Sequence, residues 1–155
     1  MNRQNGQSAT PEHLRGRIRD LQRRLRRWRA DALLVTNPND IRYLTGFAGD
    51  ASWALLRQRA LTVHVLSDFR FEEQISRSAP QVKAVMRKRS LPESLAGLTK
   101  RLGVGRVALQ AGYVTLAQRK DLVRHLGAGG LAVVDDGLYE QRAVKGPEEV
   151  AVIRR

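Results

Sequence analysis

Residues 31–47 read DALLVTNPNDIRYLTGF. The apolar run at residues 31–36 is typical of a buried strand. The polar turn at residues 37–40 can begin a short helix, which we expect over residues 41–44. The loop that follows, residues 45–50, contains two glycines, which permit backbone angles that other residues avoid. This stretch therefore predicts a buried strand, a short helix and a shaped loop in direct succession.

The segments after this stretch continue the alternation of strands and helices. Two strands near residues 52–57 and 61–66 have a tight connection, which predicts a hairpin. Further on we expect, in chain order, a helix over 69–78, a strand over 82–86, a helix over 92–102 ended by Gly103, a strand over 106–109, a helix capped by Thr115 that carries Leu116, Leu122, Val123 and Leu126, and a strand over 131–134. Strands separated by helices imply the α/β class, and the hairpin makes the sheet mixed.

A helix that precedes the quoted stretch combines an apolar stripe with a dense run of arginines. It begins near Thr10 and Pro11, which suit the cap and the first helical position. The stripe repeats at spacings of three and four residues and consists of Leu14, Ile18, Leu21, Leu25 and Trp28. We expect the stripe to pack on other elements and the arginines to cover the opposite face. Residues 1–10 are polar and unpatterned, which predicts a disordered tail.

The formal net charge is +13 at pH 7, and it is unevenly distributed. Residues 1–29 hold nine arginines against Glu12 and Asp20, a surplus of seven. One hypothesis is an anion- or nucleic-acid-binding module that uses the Arg-rich first helix. The other is a solvated helix surface opposite a core-facing stripe. Because base stacking needs exposed aromatics and aromatics are only 5% of the chain, a nucleic-acid partner is not favoured.

Composition also restricts the compartment and the kind of site. The chain contains no cysteine, which excludes disulfides and thiolate metal sites. No apolar run is long enough to cross a membrane, and the polar start does not resemble a secretory signal. We therefore expect a cytoplasmic protein with no membrane partner.

Residues 146–149 are typical of a helix start with only a few residues after it, so we expect a truncated piece of a longer chain.

The sequence shows no self-sufficient active site. It has no GxxxxGK[ST] phosphate loop and no HExxH motif, and its histidines stand at scattered positions, His13, His64 and His125. We interpret His64 as a buried or edge structural residue and the pair Asp135 and Asp136 as part of a turn. Ser52 and Ser67 have no evident base beside them, so nucleophilic catalysis is not supported. We assign no catalytic residue and no metal ligand in this chain.

Three segments, taken together, resemble the creatinase/prolidase amino-terminal domain. The first is the quoted stretch, with its YLTGF ending. The second is LSDFRFEEQ at residues 66–74, similar to a TDxRYxEQ pattern, with Phe71 where tyrosine is usual. The third is RAVKGPEEV at residues 142–150, similar to an RxxKSPEEI run, with Gly146 in place of the usual capping serine. In order and spacing, the likeness covers residues 30–155.

The resemblance implies a fold and a set of boundaries. The expected fold is a three-layer α/β/α domain of ribonuclease-H-like topology, with a mixed, mostly parallel sheet and an early hairpin. It would occupy residues 11–144. Residues 145–155 would start the linker helix into a catalytic domain that this sequence does not contain.

The resemblance also implies a function in which this chain itself does not catalyse a reaction. It indicates the non-catalytic amino-terminal domain of a proline-specific metallopeptidase, an Xaa-Pro aminopeptidase or dipeptidase, that serves dimerisation and substrate gating. In such enzymes two divalent metal ions, manganese, cobalt or zinc, are held by the catalytic domain, so no cofactor and no activity are expected here. The implied partners are that catalytic domain, a second subunit of a homodimer and, for the full-length protein, proline-containing peptides.

Candidate site residues follow from this interpretation. The substrate-gating candidates lie in and after the YLTGF loop and are Phe47, Gly49, Asp50 and Trp53. The glycines let the backbone approach closely, and the two aromatic rings are able to pack on a proline ring. The alternative is that both rings are core anchors, which we favour for Trp53 because it lies in a predicted strand. Asp68 and Arg70 follow a strand end. We expect them to pair and fix that turn, which we favour over the alternative of a role in substrate binding.

Overall fold

The computed structural model describes residues 10–135 and 138–154. The helices are α1 (Glu12–Arg27), α2 (Pro38–Thr45), α3 (Glu72–Ser78), α4 (Leu91–Leu102), α5 (Leu116–Leu126), α6 (Tyr139–Ala143) and α7 (Pro147–Ile153). The strands are β1 (Ala32–Val35), β2 (Trp53–Arg57), β3 (Val63–Ser67), β4 (Lys83–Met86), β5 (Val107–Gln110) and β6 (Leu131–Val134). Short 3-10 turns occupy Phe69–Phe71 and Ala128–Gly130. The predicted elements are therefore present, with boundaries that differ by a few residues at most.

All six strands form one mixed sheet in the order β4-β3-β2-β1-β5-β6. The pairs β1–β2 and β2–β3 are antiparallel, which confirms the hairpin, and the other three pairs are parallel. β1 lies inside the sheet and all four of its residues are buried, as an apolar run without alternation predicts. The segment quoted first in the sequence therefore supplies the centre of the sheet.

Helices cover both faces of the sheet, which makes the predicted three-layer arrangement. Leu33 and Val35 of β1 point into a core shared with α1, α2 and α3. Ala32 and Leu34 point into a second core shared with α4 and α5. Because alternate residues of a strand face opposite sides, one apolar run can serve both cores. The two cores bury the apolar surface that stabilises the domain.

α1 packs as its stripe predicts. Leu14, Ile18, Leu21 and Leu25 are buried, each contributing about 1.5–3 kcal/mol of transfer free energy. Trp28 is partly buried against the same core. The predicted cap at Thr10 is wrong: Pro11 occupies the cap position, and no side chain in the described ranges caps α1. A proline in extended geometry, φ −54° and ψ 144°, starts the helix without a side-chain acceptor.

The first turns of α2 and α5 are set by side-chain caps. Asn37 caps α2 by accepting a hydrogen bond from the amide of Asn39 at 3.0 Å, so α2 starts at Pro38 and not at residue 41. Thr115 caps α5 as predicted. Leu116, one of the apolar residues that this helix carries, is 88% exposed. It lies in the first turn, about 120° around the helix axis from the buried Leu122.

The end of the chain forms the predicted helix, α7. Its first turn is closed by Glu149, whose Oε2 accepts a hydrogen bond from the amide of Gly146 at 2.9 Å. The tail predicted for residues 1–10 lies outside the described residues except for Thr10. The turn predicted at Asp135 and Asp136 is likewise only half described, since residue 136 falls in the gap. Within the described ranges no helix has both the length and the apolar character needed to cross a bilayer.

Candidate functional site

The loop that carries the gating candidates, residues 46–52, begins at a fixed point. The hydroxyl of Thr45 donates to the carbonyl of Ile41 at 2.6 Å and accepts from the amide of Phe47 at 3.0 Å. Gly46 turns the chain away from α2 in the left-handed region, with φ 81°. Because Thr45 is buried and both of its hydroxyl contacts are to backbone groups, the entry into the 46–52 loop has one defined direction.

Two glutamines brace this loop from the side. Gln81 donates its amide to the carbonyl of Thr45 at 2.7 Å. Gln74 of α3 donates to the carbonyl of Ala48 at the same distance. Backbone carbonyls in an irregular segment need such partners, because no ladder supplies them. The conformation of the 46–52 loop is thus tied to α3 and to the chain that follows it.

Phe47 and Gly49 fold onto each other within the loop. The ring of Phe47 is fully buried and meets Phe71 edge to face, with ring centroids 6.0 Å apart and planes at 75°. A Cβ atom added to Gly49 would lie 2.2 Å from Cζ of Phe47. Only glycine leaves room for the ring at this point. Gly49 is therefore required by packing.

The far end of the 46–52 loop has a strained residue, Ala51, followed by Ser52, which hydrogen bonds hold in place. Ala51 has φ 49°, a left-handed conformation that residues with a side chain rarely adopt. Ser52 donates to the carbonyl of Asp50 at 3.1 Å, and its Oγ lies 2.7 Å from Oγ of Ser67 on β3. With its proton used on Asp50, the Ser52 hydroxyl accepts from Ser67. The exposed tip at Asp50 and Ala51 is thus held by a buried hydroxyl pair.

The structure separates the four gating candidates into two groups. Asp50 is exposed and Gly49 is half-buried, so both are reachable from solvent. Phe47 is 0% exposed and Trp53 is 5% exposed, so both rings anchor the cores, as the alternative interpretation held. Neither ring has a free face for a proline ring in this arrangement. The gating function of the loop itself stays a prediction.

Asp68 and Arg70 form a two-pronged pair at the end of β3. Asp68 Oδ1 accepts from the backbone amide and from Nε of Arg70, both at 3.0 Å, and its Oδ2 accepts from the guanidinium at 2.7 Å. Arg87 adds a second guanidinium 3.7 Å from Oδ2. The hydrogen bond from Arg70 holds the pKa of Asp68 below its usual value. The pair lies at the turn into the Phe69–Phe71 segment, with the carboxylate fully engaged.

Arg17 is a connecting residue that sequence reasoning missed. Its guanidinium donates to the carbonyl of Tyr43 at 2.7 Å and stacks 3.9 Å from the centroid of that ring. It also lies 3.3 Å from Oε2 of Glu149 in α7. Gln141 of α6 completes the cluster, since its side chain donates to the carbonyl of Arg17 at 3.0 Å and its carbonyl accepts from the Tyr43 hydroxyl. These contacts attach α6 and α7 to α1 and α2.

Other arginines of α1 also meet carboxylates. Besides Arg17, the pairs are Arg15 and Arg19 with Glu12, Arg23 with Asp20, and Arg24 with Glu140. These pairs are mostly exposed and individually weak. Much of the basic face of α1 is therefore engaged with the protein's own acids.

Asp40 is a second connection within the domain. It is 0% exposed, and its two oxygens accept from Arg142 at 2.8 Å and from Gln110 at 3.1 Å. The residue was interpreted as part of a turn, but its side chain joins α2 to β5 and α6. Spacing along the sequence carries no signal for such contacts, because the partners stand 70 and 102 positions away.

The titratable residues singled out by the sequence do not form a catalytic cluster. Within the described ranges no group of three or more histidine, aspartate or glutamate side chains is placed to hold a metal ion. His64 is buried in β3, consistent with a structural histidine. Ser52 and Ser67 contact each other and have no base beside them among the described hydrogen bonds. The described residues form a folded scaffold that presents one loop held by side-chain hydrogen bonds.

These features define a class of protein: a three-layer α/β/α domain with a fixed surface loop and no clustered metal ligands among its described residues. The family model for the Creatinase/Prolidase N-terminal domain matches residues 17–144. The chain belongs to that family.

Similar proteins are peptidases or parts of them. The Bacillus subtilis (strain 168) protein named "Uncharacterized peptidase YqhT" is 23% identical over 123 residues, which cover 79% of this chain and 34% of that protein. An Xaa-Pro dipeptidase from Bacillus anthracis superposes with a TM-score of 0.80 at 19% identity, over 90% of this chain and 39% of that one. The N-terminal domain of the cytoplasmic peptidase PepQ from Mycobacterium tuberculosis H37Rv superposes with a TM-score of 0.71 at 22% identity, over 83% and 98%. The chain spans about a third of the curated relative that it matches.

Proposed function

We propose that this chain is the non-catalytic amino-terminal domain of a proline-specific metallopeptidase, an Xaa-Pro aminopeptidase or dipeptidase. The observation that carries the proposal is the family match over residues 17–144. In this proposal bond breaking and the two divalent metal ions belong to a catalytic domain outside these residues. This domain contributes a wall that positions the substrate and keeps water out.

The 46–52 loop is the part of the domain that we propose for substrate gating. A wall of this kind has to hold its shape in water, and the hydrogen bonds to Thr45, Ala48 and Ser52 provide that support. The exposed carboxylate of Asp50 at the tip is the group best placed to meet a peptide or a neighbouring subunit. Strained backbone such as that of Ala51 is a frequent feature of functional loops.

The proposal includes the assembly and the compartment. We propose that the full-length protein is a cytoplasmic homodimer in which this domain contacts its own catalytic domain and the second subunit. Support for the compartment comes from the lack of cysteine and from the likeness to a peptidase described as cytoplasmic. Light scattering on the full-length protein tests the dimer, and a monomeric mass would reject that part.

The central experiment compares peptide hydrolysis with and without a catalytic domain. The chain alone, supplied with manganese, cobalt or zinc, should not cleave Xaa-Pro dipeptides or longer Xaa-Pro peptides. The protein that contains the catalytic domain should cleave one of these classes. In that protein Asp50→Ala should lower kcat/KM, whereas Asp121→Ala, which removes an acid from α5, should not. Metal-dependent cleavage by the chain alone would overturn the proposal.

The second hypothesis, an anion- or nucleic-acid-binding module on the Arg-rich first helix, receives less support. Arg15, Arg17, Arg19, Arg23 and Arg24 already lie beside carboxylates of the chain. Binding of an oligonucleotide to α1 should fall log-linearly with salt and should disappear when Arg26 and Arg27 are changed to glutamate. Unchanged binding in that double variant would exclude α1 as the binding surface.

A further inference from the structure

A group of basic side chains lies at the end of the sheet opposite the 46–52 loop. Lys83 of β4 stands directly opposite His64 of β3 in the parallel ladder. Leu55 of β2 stands opposite His64 on its other side, and Arg57 follows two residues later on the same face of β2. Three neighbouring strands therefore place Arg57, His64 and Lys83 side by side on one face.

α4 closes this group from above. Leu95 and Leu98 of α4 are buried in the core on that face of the sheet, together with Leu55. Arg101 follows Leu98 by three residues, so it lies on the same side of the helix. Its charge contributes to the environment of His64, as do those of Arg57 and Lys83. None of these three cations has an ion-paired carboxylate among the described residues, in contrast to much of α1.

Two buried polar atoms in this group lack a hydrogen-bond partner within the described part of the chain. They are Nδ1 of His64 and Nε of Arg57. His64 is 2% exposed, so bulk water does not reach its Nδ1. The large majority of buried polar groups in proteins are hydrogen-bonded, so two unpaired ones on adjacent strands leave room for a shared partner. A partner able to accept from both and to offset three cations carries negative charge.

A surface cleft lies beside Arg57, one member of this group. Arg57 lines it together with Gln58, Arg59 and the end of α4 at Leu102, and its volume is about 280 Å³. The acidic residue in its wall, Asp31, is already engaged, because its Oδ2 accepts from the amides of Gly105 and Arg106, both at 2.9 Å. A small ligand in this cleft would contact Arg57 directly.

We propose that Arg57, His64, Lys83 and Arg101 bind a small oxyanion of the phosphate type. Arg57 would donate through Nε, His64 through a ring nitrogen, and Lys83 and Arg101 would supply charge at the rim. The imidazole takes part as a neutral donor, since burial and the three cations lower the pKa of His64 to about 4. A bound anion offsets part of this positive charge and raises that pKa.

The test is a titration of the whole chain with inorganic phosphate, followed by NMR of the His64 side chain at constant ionic strength. We expect a saturable shift of the His64 resonances and a pKa above about 4 when phosphate is bound. Arg57→Gln and Lys83→Gln should each weaken binding by about tenfold, the loss expected for one charge-assisted contact. Arg42→Gln is the matched control, because it removes the same charge from exposed α2 on the other face of the sheet.

Three outcomes decide between this site and its alternatives. Sulfate should compete with phosphate, and acetate should compete less well, since it carries one charge. A shift that does not saturate, or an equal loss in Arg42→Gln, would overturn the proposal in favour of general charge attraction. Shifts caused by an oligonucleotide and not by inorganic phosphate would overturn it in favour of a nucleic-acid surface. Lys83 is exposed, so its variant should stay folded and keep the test decisive if Arg57→Gln unfolds.

Discussion

Gly49 and Phe47 occupy each other's space: the position of a Cβ on Gly49 lies 2.2 Å from Cζ of Phe47. The buried ring and the missing side chain together determine the shape of the 46–52 loop. This relationship explains why position 49 is a glycine although its backbone is not left-handed.

Gly49→Ala should destabilise the domain by about 1–3 kcal/mol, because the methyl group displaces the Phe47 ring from its contact with Phe71. Urea unfolding followed by fluorescence measures this change. Gly97→Ala is the control: nothing lies within 4 Å of that position in α4, and alanine should stabilise the helix by about 0.5–1 kcal/mol. Equal stability of Gly49→Ala and the wild type would show that the ring moves freely.

Ser52→Ala should cost about 1–3 kcal/mol, since it leaves the buried hydroxyl of Ser67 without its partner at 2.7 Å. The double variant with Ser67→Ala removes both polar groups and should cost less than the sum of the single changes. Chemical denaturation of the four proteins gives the coupling energy. Strictly additive costs would mean that the two hydroxyls do not stabilise each other.

Arg17→Gln should loosen α6 and α7, because Arg17 bonds to Tyr43 and Glu149 and anchors Gln141. Hydrogen exchange of the α7 amides should become faster, with less effect on β1. Arg19→Gln is the matched control in the same helix: its pair with Glu12 is exposed, so its contribution should stay below about 1 kcal/mol. Identical exchange in both variants would remove the connecting role of Arg17.

The free energy of unfolding should fall as pH decreases from 6.5 to about 4 in phosphate-free buffer. The folded state lowers the pKa of His64, so in this window the unfolded chain binds more protons than the folded one. His64→Gln should flatten this part of the pH profile, whereas His125→Gln, at an exposed position, should leave it unchanged. Acidic residues contribute equally to all three proteins, so the difference between profiles isolates His64. A His64→Gln profile parallel to that of the wild type would contradict the claim that the lowered pKa of His64 causes this loss of stability.

Local patterns predicted the elements well, and the reasons lie in particular residues. Asn37, Thr115 and Gly103 mark helix ends through bonds and backbone angles that involve residues a few positions away. The helical pattern alone does not show that Leu116, in the first turn of α5, lies beyond the packed face of that helix. The resemblance in three segments identified the family, but it left open whether Phe47 faces a substrate or the core, and the structure shows its ring buried.

The amino-acid sequence by itself determined the strand and helix order, the mixed α/β sheet and the family, because apolar periodicity, caps and short motifs act over a few residues. Only the tertiary structure decided that Asp40 meets Arg142, that Arg17 holds α7, and that Arg57, His64 and Lys83 stand together. Those contacts join positions far apart in the chain, and they exist only once the strands have found their register. The 46–52 loop combines both kinds of information, since its glycines are visible in the sequence and the hydrogen bonds that hold it are not.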